Sequence, residues 1–443
     1  MANPPRANSR PSGNASSSAD PSTGEIAGLP ARRAALKLLD AVLRRGQPLE
    51  TALHGATQGL GTPADRSLVH AIVAAALRHL PDLDAMIDSA TKQILPDDAK
   101  ARMVLRLALA QALLLETPPH AVVATALPLV DGGPRKLVHG VLGTLLRKGV
   151  TLPDSPTLLT PPAMRWNEAW GPDMLEAASL ALATRPPLDI SLKDVGATAA
   201  WADRLGGTSL APGHIRLPAE TDVTSLDGFA DGDWWVQDLA ASIPARLFGA
   251  GEGRAVLDLC AAPGGKTMQL ASAGWQVTAL DQSKRRLERL EETLERTGLS
   301  ARIVCANLLE WEPDEPAEAI LLDAPCSATG IFRRHPDVLH RVGNRQIAEM
   351  AEIQATLLDR AIDWLKPGGR LVYATCSLEP AEGEEQIDAL LTRRSDIRAV
   401  PVDPAVLPAG IAPASPGRVR TLPSMLAEQG GLDGFFIALL ERN

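Results

Sequence analysis

The second half of the chain alternates between β-rich runs and helical stretches, and this alternation limits the possible folds more than any other feature. Six apolar runs, from RAVLDLC to GFFIALLER, are the predicted strands. Helical stretches such as SKRRLERLEETLERTG separate them. Such alternation is typical of a doubly wound, mostly parallel sheet that binds ligands at the carboxyl ends of its strands. The pattern predicts an α/β Rossmann-like domain over residues 251–443.

The rest of the chain has a different character, which predicts a multidomain protein. Residues 1–28 are rich in Pro, Ser, Asn and Gly and lack the apolar core of a secretory signal, so we expect a disordered tail. Residues 29–150 follow a helical period throughout, which predicts an all-α domain of five or more helices. Residues 151–250 mix proline clusters with short β-like runs, which predicts a linker and a small α+β module.

The composition excludes several classes of protein. No apolar run reaches the length of a membrane span. Four cysteines without framework spacing, and without close Cys/His pairs, argue against a disulfide scaffold and against a zinc site. We therefore expect a cytoplasmic protein with no metal and no membrane partner.

The charge is unevenly distributed along the chain. The whole protein carries a net charge of −9, which argues against a non-specific nucleic-acid coat. Residues 30–150 nevertheless hold 15 Lys/Arg against 10 Asp/Glu. This excess is compatible with a local phosphate-binding face, and equally with an ordinary solvated surface.

A glycine-rich turn, LDLCAAPGGKT (Leu257 to Thr267), follows the first predicted strand of the α/β domain. Glycines permit close approach of the backbone to a ligand, and the start of the following helix offers free N–H groups. The turn matches neither the GxGxxG fingerprint nor the phosphate-loop spacing. A plain tight turn is the alternative interpretation.

Polar residues follow the next strands at corresponding positions. Asp281 ends the second strand, where a carboxylate is placed to bind ribose hydroxyls. Asn307 follows the third strand, where its amide is placed to meet an adenine edge, and DAPCSATG (Asp323 to Gly330) follows the fourth. Because parallel strands end at one edge of the sheet, these groups predict an adenosine-containing cofactor lying across it, and the loop favours a carrier without a pyrophosphate.

Two cysteines end predicted strands, and each is a candidate for covalent chemistry. Cys326 lies in DAPCSATG, on a tight turn beside a carboxylate, which makes it the more obvious nucleophile from the residues alone. Cys376 lies in YATCSL, and viewed alone it is better read as a buried structural thiol. Cys260 and Cys305 are predicted to pack as small apolar side chains.

Taken together, these motifs strongly resemble those of the S-adenosylmethionine-dependent RNA 5-methylcytosine methyltransferases. The resemblance is carried by LDLCAAPGGKT, LLDAPCSATG, YATCSL and the terminal DGFFIALLER. The helical domain resembles the NusB-type RNA-binding domain, and the fusion resembles the RsmB branch, which modifies 16S ribosomal RNA. The resemblance covers residues 30–443 and implies S-adenosylmethionine as the cofactor and 16S rRNA as the partner. We expect a monomer.

The resemblance also implies a reaction at C5 of cytidine through a covalent adduct. C5 is a poor nucleophile, but a thiolate added at C6 makes the ring enamine-like, and a base then removes the C5 proton so that the thiolate leaves. The family assigns the nucleophile to Cys376 and the breakdown of the adduct and product release to Cys326. Asp323 contacts the target cytosine, a place suited to proton transfer near N3. Lys266 matches a lysine near the cofactor and the base.

The implied cofactor contacts form one set: Cys260, Ala261, Ala262, Pro263, Gly264, Gly265, Lys266, Asp281, Asn307 and Asp323. Asn307 departs from the family, which generally has an aspartate there. The loop IFRRHPD directly follows DAPCSATG, whose Pro325-Cys326 pair is the PC motif of the family. Its Arg333, Arg334 and His335 are either contacts for RNA phosphates or part of a charged surface loop.

Other functions share parts of this pattern. A tRNA cytosine-C5 methyltransferase has the same catalytic half, and the NusB-like domain is what favours ribosomal RNA. A DNA cytosine methyltransferase uses the cysteine of the PC motif as its nucleophile. It needs no TC motif, which in this chain is Thr375-Cys376 of YATCSL. A non-catalytic RNA-binding assembly factor would not need Cys326, Cys376 and Asp323 all intact.

Overall fold

The first part of the fold is a helical domain. The computed structural model describes residues 26–443, so the predicted disordered tail lies outside the described residues except for its last three. The helices of this domain are α1 (Leu29–Leu43), α2 (Leu49–Ala56), α3 (Pro63–Arg78), α4 (Leu80–Ser89), α5 (Lys100–Leu114), α6 (Pro119–Ala126) and α7 (Gly132–Lys148).

Helix α5 forms the centre of this domain, because every residue from Ala101 to Gln111 is buried. Two of these are arginines: Arg106 donates to the Asp84 carboxylate at 2.7 Å, and Arg102 donates to Asp88 at 2.7 Å. A buried charge is costly unless it is paired. The two carboxylates of α4 therefore make the burial of this helix possible.

The middle segment contains four helices and a small three-stranded sheet. Its elements are α8 (Thr160–Trp170), α9 (Pro172–Ala183), β1 (Leu188–Leu192), α10 (Thr198–Leu205), β2 (His214–Leu217), β3 (Trp234–Val236) and α11 (Leu239–Arg246). Strand β1 lies between β2 and β3 and is antiparallel to both.

The remaining elements form the large sheet and its helices: β4 (Ala255–Leu259), α12 (Gly265–Ser272), β5 (Gln276–Asp281), α13 (Lys284–Thr297), β6 (Arg302–Cys305), β7 (Ala317–Asp323), α14 (Val338–Arg341), α15 (Asn344–Asp363), β8 (Leu365–Thr375), α16 (Glu384–Arg393), β9 (Ile397–Ala399), β10 (Arg418–Thr421) and β11 (Phe435–Arg442). The strand order is β10-β11-β8-β7-β4-β5-β6, and β9 pairs with β11. The five strands from β8 to β6 are parallel, whereas β9, β10 and β11 pair antiparallel.

This topology has a switch point beside β4. The chain moves outward from β4 to β5 and β6, and then returns to place β7 on the other side of β4. In open α/β sheets, ligands bind at the carboxyl ends of the strands at such a point. The fold class predicted from the sequence is confirmed.

The large sheet is covered on both faces. Ile320 and Leu322 of β7 pack in one apolar cluster with residues of α15, whereas Leu321 between them packs in another with residues of α13. On α13 the inward residues Leu287 and Leu290 are three positions apart, as a helix requires. No helix within residues 26–443 combines the length and apolarity that crossing a membrane requires.

The helical domain contacts the α/β domain directly. The backbone N–H of Leu49 donates to the Asp337 carboxylate at 3.1 Å, and the His340 ring contacts the carbonyl oxygen of Leu77 at 2.8 Å. Arg78 donates to the carbonyl oxygen of Arg333. These contacts join α2 and α3 to the segment that follows the PC motif.

Candidate active site

The two cysteines that end strands lie side by side. The sulfur atoms of Cys326 and Cys376 are 3.4 Å apart, because β7 and β8 are parallel neighbours that end at the same level. Gly330 connects the loop after β7 to the loop after β8, because its N–H donates to the carbonyl oxygen of Cys376 at 3.0 Å. The carbonyl oxygen of Gly330 accepts from the N–H of Gly434 at 2.9 Å. A Cβ at Gly330 would lie 1.9 Å from the Gly434 oxygen, so no larger residue fits there.

A buried carboxylate, Glu382, accepts hydrogen bonds from both of these loops. It is fully buried, and it accepts from the Ser327 N–H at 2.8 Å and from Gln354 at 3.1 Å. It also accepts from the hydroxyls of Ser327 and Ser377, the residues that follow the two cysteines. One carboxylate therefore sets the relative position of both cysteine loops. The sequence did not identify Glu382, because SLEPAEGEEQ reads as an ordinary acidic surface segment.

Lys266 and Asp323 form an ion pair next to the cysteines. The Lys266 ammonium lies 2.7 Å from the Asp323 carboxylate and 5.3 Å from the centre of the Phe435 ring. Burial alone would lower the pKa of Lys266, but the charge and hydrogen bond of Asp323 raise it above its usual value, with a further contribution from Cys376. Lys266 is therefore a cation at neutral pH, close to both Asp323 and Cys376.

The two thiols have different electrostatic surroundings. The pKa of Cys326 is raised well above its usual value, first by its hydrogen bond with Cys376, then by burial and by the Glu382 charge. Cys326 therefore keeps its proton at neutral pH. The positive charge of Lys266 lies near Cys376, whereas the negative charge of Glu382 acts on Cys326.

A cavity of about 680 Å³ opens beside these residues. This volume suits a nucleoside-sized ligand. Among the residues that line it are six that the sequence predicted or weighed: Cys260, Asp281, Asn307, Asp323, Cys326 and Cys376. The carboxyl ends of β4, β5, β6, β7 and β8 thus bring together side chains that lie far apart in the chain.

In the glycine turn, Cys260 lines this cavity, whereas the two glycines are close to side chains of neighbouring segments. Gly264 has a φ of 107°, and a Cβ there would lie 2.1 Å from the Leu290 side chain. A Cβ at Gly265 would lie 3.3 Å from the Gln237 side chain. Ala261 and Ala262 are buried, and Pro263 is exposed. Gly264 therefore allows close packing against α13, and Gly265 allows close packing against Gln237, just before α11.

Asp281 is nearly buried and holds the turn after β4. Its carboxylate accepts from the backbone N–H of Ala262 at 3.2 Å and from that of Ser283 at 2.8 Å, and it lies 3.3 Å from the Arg286 guanidinium. Because a carboxylate offers about four acceptor positions, capacity remains for hydroxyl donors from the cavity. Burial raises the pKa of the neighbouring Cys260, which remains a neutral thiol.

Asn307 lies exposed at the rim of the cavity. Its side-chain oxygen accepts from the Leu309 N–H at 3.1 Å, and its amide nitrogen donates to Glu310 at 3.3 Å. The side chain therefore stabilises its own turn, and the exposed Leu309 stands beside it as an apolar surface.

Both arginines of IFRRHPD lie in ion pairs, and Arg333, unlike Arg334, is buried, which neither interpretation made from the sequence anticipated. Arg333 is 3% exposed, 3.6 Å from Asp433, and Arg334 pairs with Asp238 at 2.9 Å and with Asp433 at 3.2 Å. Burial lowers the pKa of His335, which leaves it neutral at pH 7. Arg333 is therefore closed to RNA phosphates and is not part of an exposed loop, whereas the side chains of Arg334 and His335 remain partly exposed.

Within the described part of the chain, no group of three or more His, Cys, Asp or Glu side chains has an arrangement that would hold a metal ion. All four cysteines are free thiols.

The catalytic half and the helical domain each match a known family. The model of the 16S rRNA methyltransferase RsmB/F family matches residues 246–441, and that of the NusB family matches residues 29–147. Among solved structures, PH0851 has a TM-score of 0.72 at 22% identity, with 94% of this chain and 99% of that chain covered. A methyltransferase homolog protein from Pyrococcus horikoshii has a TM-score of 0.53 at 26% identity, with 68% and 98% covered.

Curated relatives match over nearly the full length. Ribosomal RNA small subunit methyltransferase B of Xanthomonas campestris pv. campestris is 34% identical, with 94% of this chain and 97% of the relative covered. The protein of the same name from Xylella fastidiosa is 36% identical, with 93% and 98% covered. The chain therefore belongs to the RsmB/F family and is an S-adenosylmethionine-dependent RNA methyltransferase with an N-terminal NusB domain.

Proposed function

We propose that this enzyme methylates C5 of a cytidine in 16S rRNA through a covalent bond between Cys376 and C6 of the base. The observation that carries the proposal is the 3.4 Å separation of the Cys326 and Cys376 sulfurs beside the Lys266–Asp323 pair. A nucleophile, a second thiol and a carboxylate thus meet at one edge of a cavity. The names of the relatives support ribosomal RNA over tRNA as the substrate.

The cavity fits S-adenosylmethionine. Asp281 would hold the ribose hydroxyls, and Asn307 and Leu309 at the rim would contact the adenine side. The cysteines and Asp323 line the same cavity, so the methyl donor and the target base would share one space. When bound, S-adenosylmethionine supplies an electrophilic methyl group on a sulfonium.

Cys376 performs the first step. Its thiolate, stabilised by the nearby Lys266 ammonium, adds to C6 of the cytosine, and the electron pair of the C5–C6 double bond becomes available at C5. Asp323, held by Lys266, contacts the ring and assists proton transfer near N3. C5 then takes the methyl group from the sulfonium, whose carbon–sulfur bond breaks to leave a neutral thioether. Loss of the C5 proton to a base re-forms the C5–C6 double bond and expels the Cys376 thiolate.

Cys326 assists that last departure. Its raised pKa keeps the thiol protonated, and its sulfur lies within hydrogen-bond reach of Cys376. A thiol that donates to the leaving sulfur stabilises the developing thiolate and lowers the barrier to breakdown of the adduct. Without this donor the adduct would persist.

Product identification tests the proposal. The purified enzyme is incubated with S-adenosylmethionine carrying a labelled methyl group and with unmodified 16S rRNA, or with tRNA in a parallel reaction. We expect labelled 5-methylcytidine in nucleoside digests and a single site protected in bisulfite sequencing of 16S rRNA. A different methylated nucleoside, or label confined to tRNA, contradicts the proposal.

We further propose that the enzyme acts as a monomer in the cytoplasm, in keeping with its four free thiols.

A further inference from the structure

A cleft of about 890 Å³ lies where the helical domain meets the rest of the molecule. Helix α3 supplies Arg66 and Arg78 to its wall, and the connector between α9 and β1 supplies Arg185. Arg334 closes the cleft from the catalytic domain. Because both parts of the protein contribute, a ligand in this cleft would touch the NusB domain and the methyltransferase domain together.

The positive charge in this cleft is largely uncompensated. Arg66 and Arg185 have no carboxylate partner among residues 26–443. Arg78 donates to carbonyl oxygens, those of Leu182, Thr184 and Arg333.

The pKa of Arg78 supports the same conclusion. Burial lowers this pKa to about 10, and the neighbouring charges of Arg185 and Arg333 contribute. The one carboxylate that lines the cleft, Glu50, lies 3.2 Å from His70. Arginines that repel each other and lack counter-ions are the arrangement that an external anion would stabilise.

We propose that this cleft binds the phosphodiester backbone of the RNA substrate, with Arg66 and Arg185 as the phosphate contacts. The proposal deepens the proposed function and rests on it. Guanidinium groups match phosphate oxygens with two parallel hydrogen bonds, and such contacts position RNA without reading its sequence. The cleft thereby gives the NusB domain a defined part in presenting the substrate.

Further basic residues connect the cleft to the cofactor cavity. The pKa of Glu50 is lowered chiefly by its hydrogen bond with His70, with a smaller contribution from Arg289 of α13. Arg289 is three residues beyond Arg286, so both lie on one side of α13. Arg286 lines the cofactor cavity. Arg289 and Arg286 therefore place positive charge between the cleft and the cofactor cavity.

Equilibrium RNA binding at several salt concentrations tests this proposal. The full-length enzyme with saturating S-adenosylmethionine and a 16S rRNA transcript is compared with the double variant Arg66→Ala/Arg185→Ala. We expect the Kd to rise about tenfold to hundredfold and the slope of log K against log salt to fall by about 2. The KM for RNA should rise while kcat at saturating RNA is retained. The charge-preserving Arg66→Lys/Arg185→Lys variant should keep most of the affinity.

The matched control is Arg135→Ala/Arg147→Ala on α7, which removes two exposed arginines of the same domain that do not line the cleft. It should bind RNA like the wild type. The proposal is overturned if the cleft variant keeps wild-type Kd, or if the control loses as much affinity. If the wild-type enzyme forms no 5-methylcytidine, the proposed function fails, while the comparison of Kd values still decides whether RNA binds in the cleft.

Discussion

The sulfur atoms of Cys326 and Cys376 lie 3.4 Å apart although the two residues are separated by 50 positions in the chain. Adjacent parallel strands, β7 and β8, bring them together, with the Lys266 cation near Cys376 and the Glu382 carboxylate bonded to the serines that follow both cysteines. Cys326 keeps its proton in this pair, because its hydrogen bond with Cys376, its burial and the Glu382 charge all raise its pKa. The predictions that follow test this arrangement and the cavity beside it.

Glu382→Gln should impair turnover and stability together. All the groups that contact the Glu382 carboxylate are donors, so the amide nitrogen of glutamine would face another donor. The loss of one buried hydrogen bond to a charged group costs about 1.5–3 kcal/mol. We expect kcat to fall about tenfold or more while the Kd for S-adenosylmethionine stays unchanged, as measured by steady-state kinetics, calorimetry and thermal unfolding.

Glu385→Gln is the control for this change, because Glu385 is exposed and three residues away in the same segment. It should match the wild type in kcat and Tm. A Glu382→Gln enzyme with full activity would show that the carboxylate does not position the cysteine loops.

Asp281→Asn should weaken binding of S-adenosylmethionine without affecting RNA. The asparagine keeps the size of the side chain but removes the charge and half of the acceptor capacity that ribose hydroxyls need. We expect the Kd for the cofactor to rise about tenfold to hundredfold in calorimetry, with an unchanged Kd for RNA. Asp314→Asn removes an exposed carboxylate elsewhere and should change neither value. Equal cofactor binding by Asp281→Asn and the wild type would exclude Asp281 from the cofactor site.

Asp258→Asn should change how stability depends on pH. Burial raises the pKa of Asp258 from 3.8 to about 7, although Thr267 donates to it at 2.5 Å. At a pH between these two pKa values, Asp258 is protonated in the folded protein and ionised in the unfolded chain. The free energy of unfolding therefore falls as the pH rises from about 4 to about 7. One pKa unit corresponds to about 1.4 kcal/mol, so the loss has a ceiling of about 4 kcal/mol.

The asparagine variant has no such proton and does not share this loss. Its stability relative to the wild type should therefore increase between pH 5 and pH 8 in denaturant unfolding of the cofactor-free enzymes. A difference that stays constant over this range would mean that Asp258 is ionised in the fold.

The ends of the strands in the catalytic domain were predictable from sequence, because runs of apolar residues show where each strand lies and therefore where it stops. Asp281 and Asp323 follow buried runs directly, and the topology of a parallel sheet then brings them to one edge. The choice between Cys326 and Cys376 as nucleophile did not follow from spacing. It rests on the family resemblance and on charges, those of Lys266 and Glu382, that only the folded chain brings near the sulfurs.

Charged residues were the hardest to place, because their partners lie far away in the chain. Arg334 pairs with Asp433, which is 99 positions later, so its local sequence reads as an exposed basic loop. Glu382 lies in a segment rich in glutamate, and nothing in that segment distinguishes the buried carboxylate from the exposed ones. Arg66 and Arg185 come from different domains, and only the docking of the domains makes them neighbours of one cleft.

Trapping of the covalent intermediate tests the central claim most directly. Cys376→Ala and Cys326→Ala enzymes are incubated with 16S rRNA and S-adenosylmethionine, denatured, and separated on a denaturing gel. We expect Cys326→Ala to accumulate a protein–RNA adduct that survives denaturation, and Cys376→Ala to bind the cofactor but form neither adduct nor methylated product. An adduct with Cys376→Ala, and none with Cys326→Ala, would reverse the assignment of the two thiols and contradict this account.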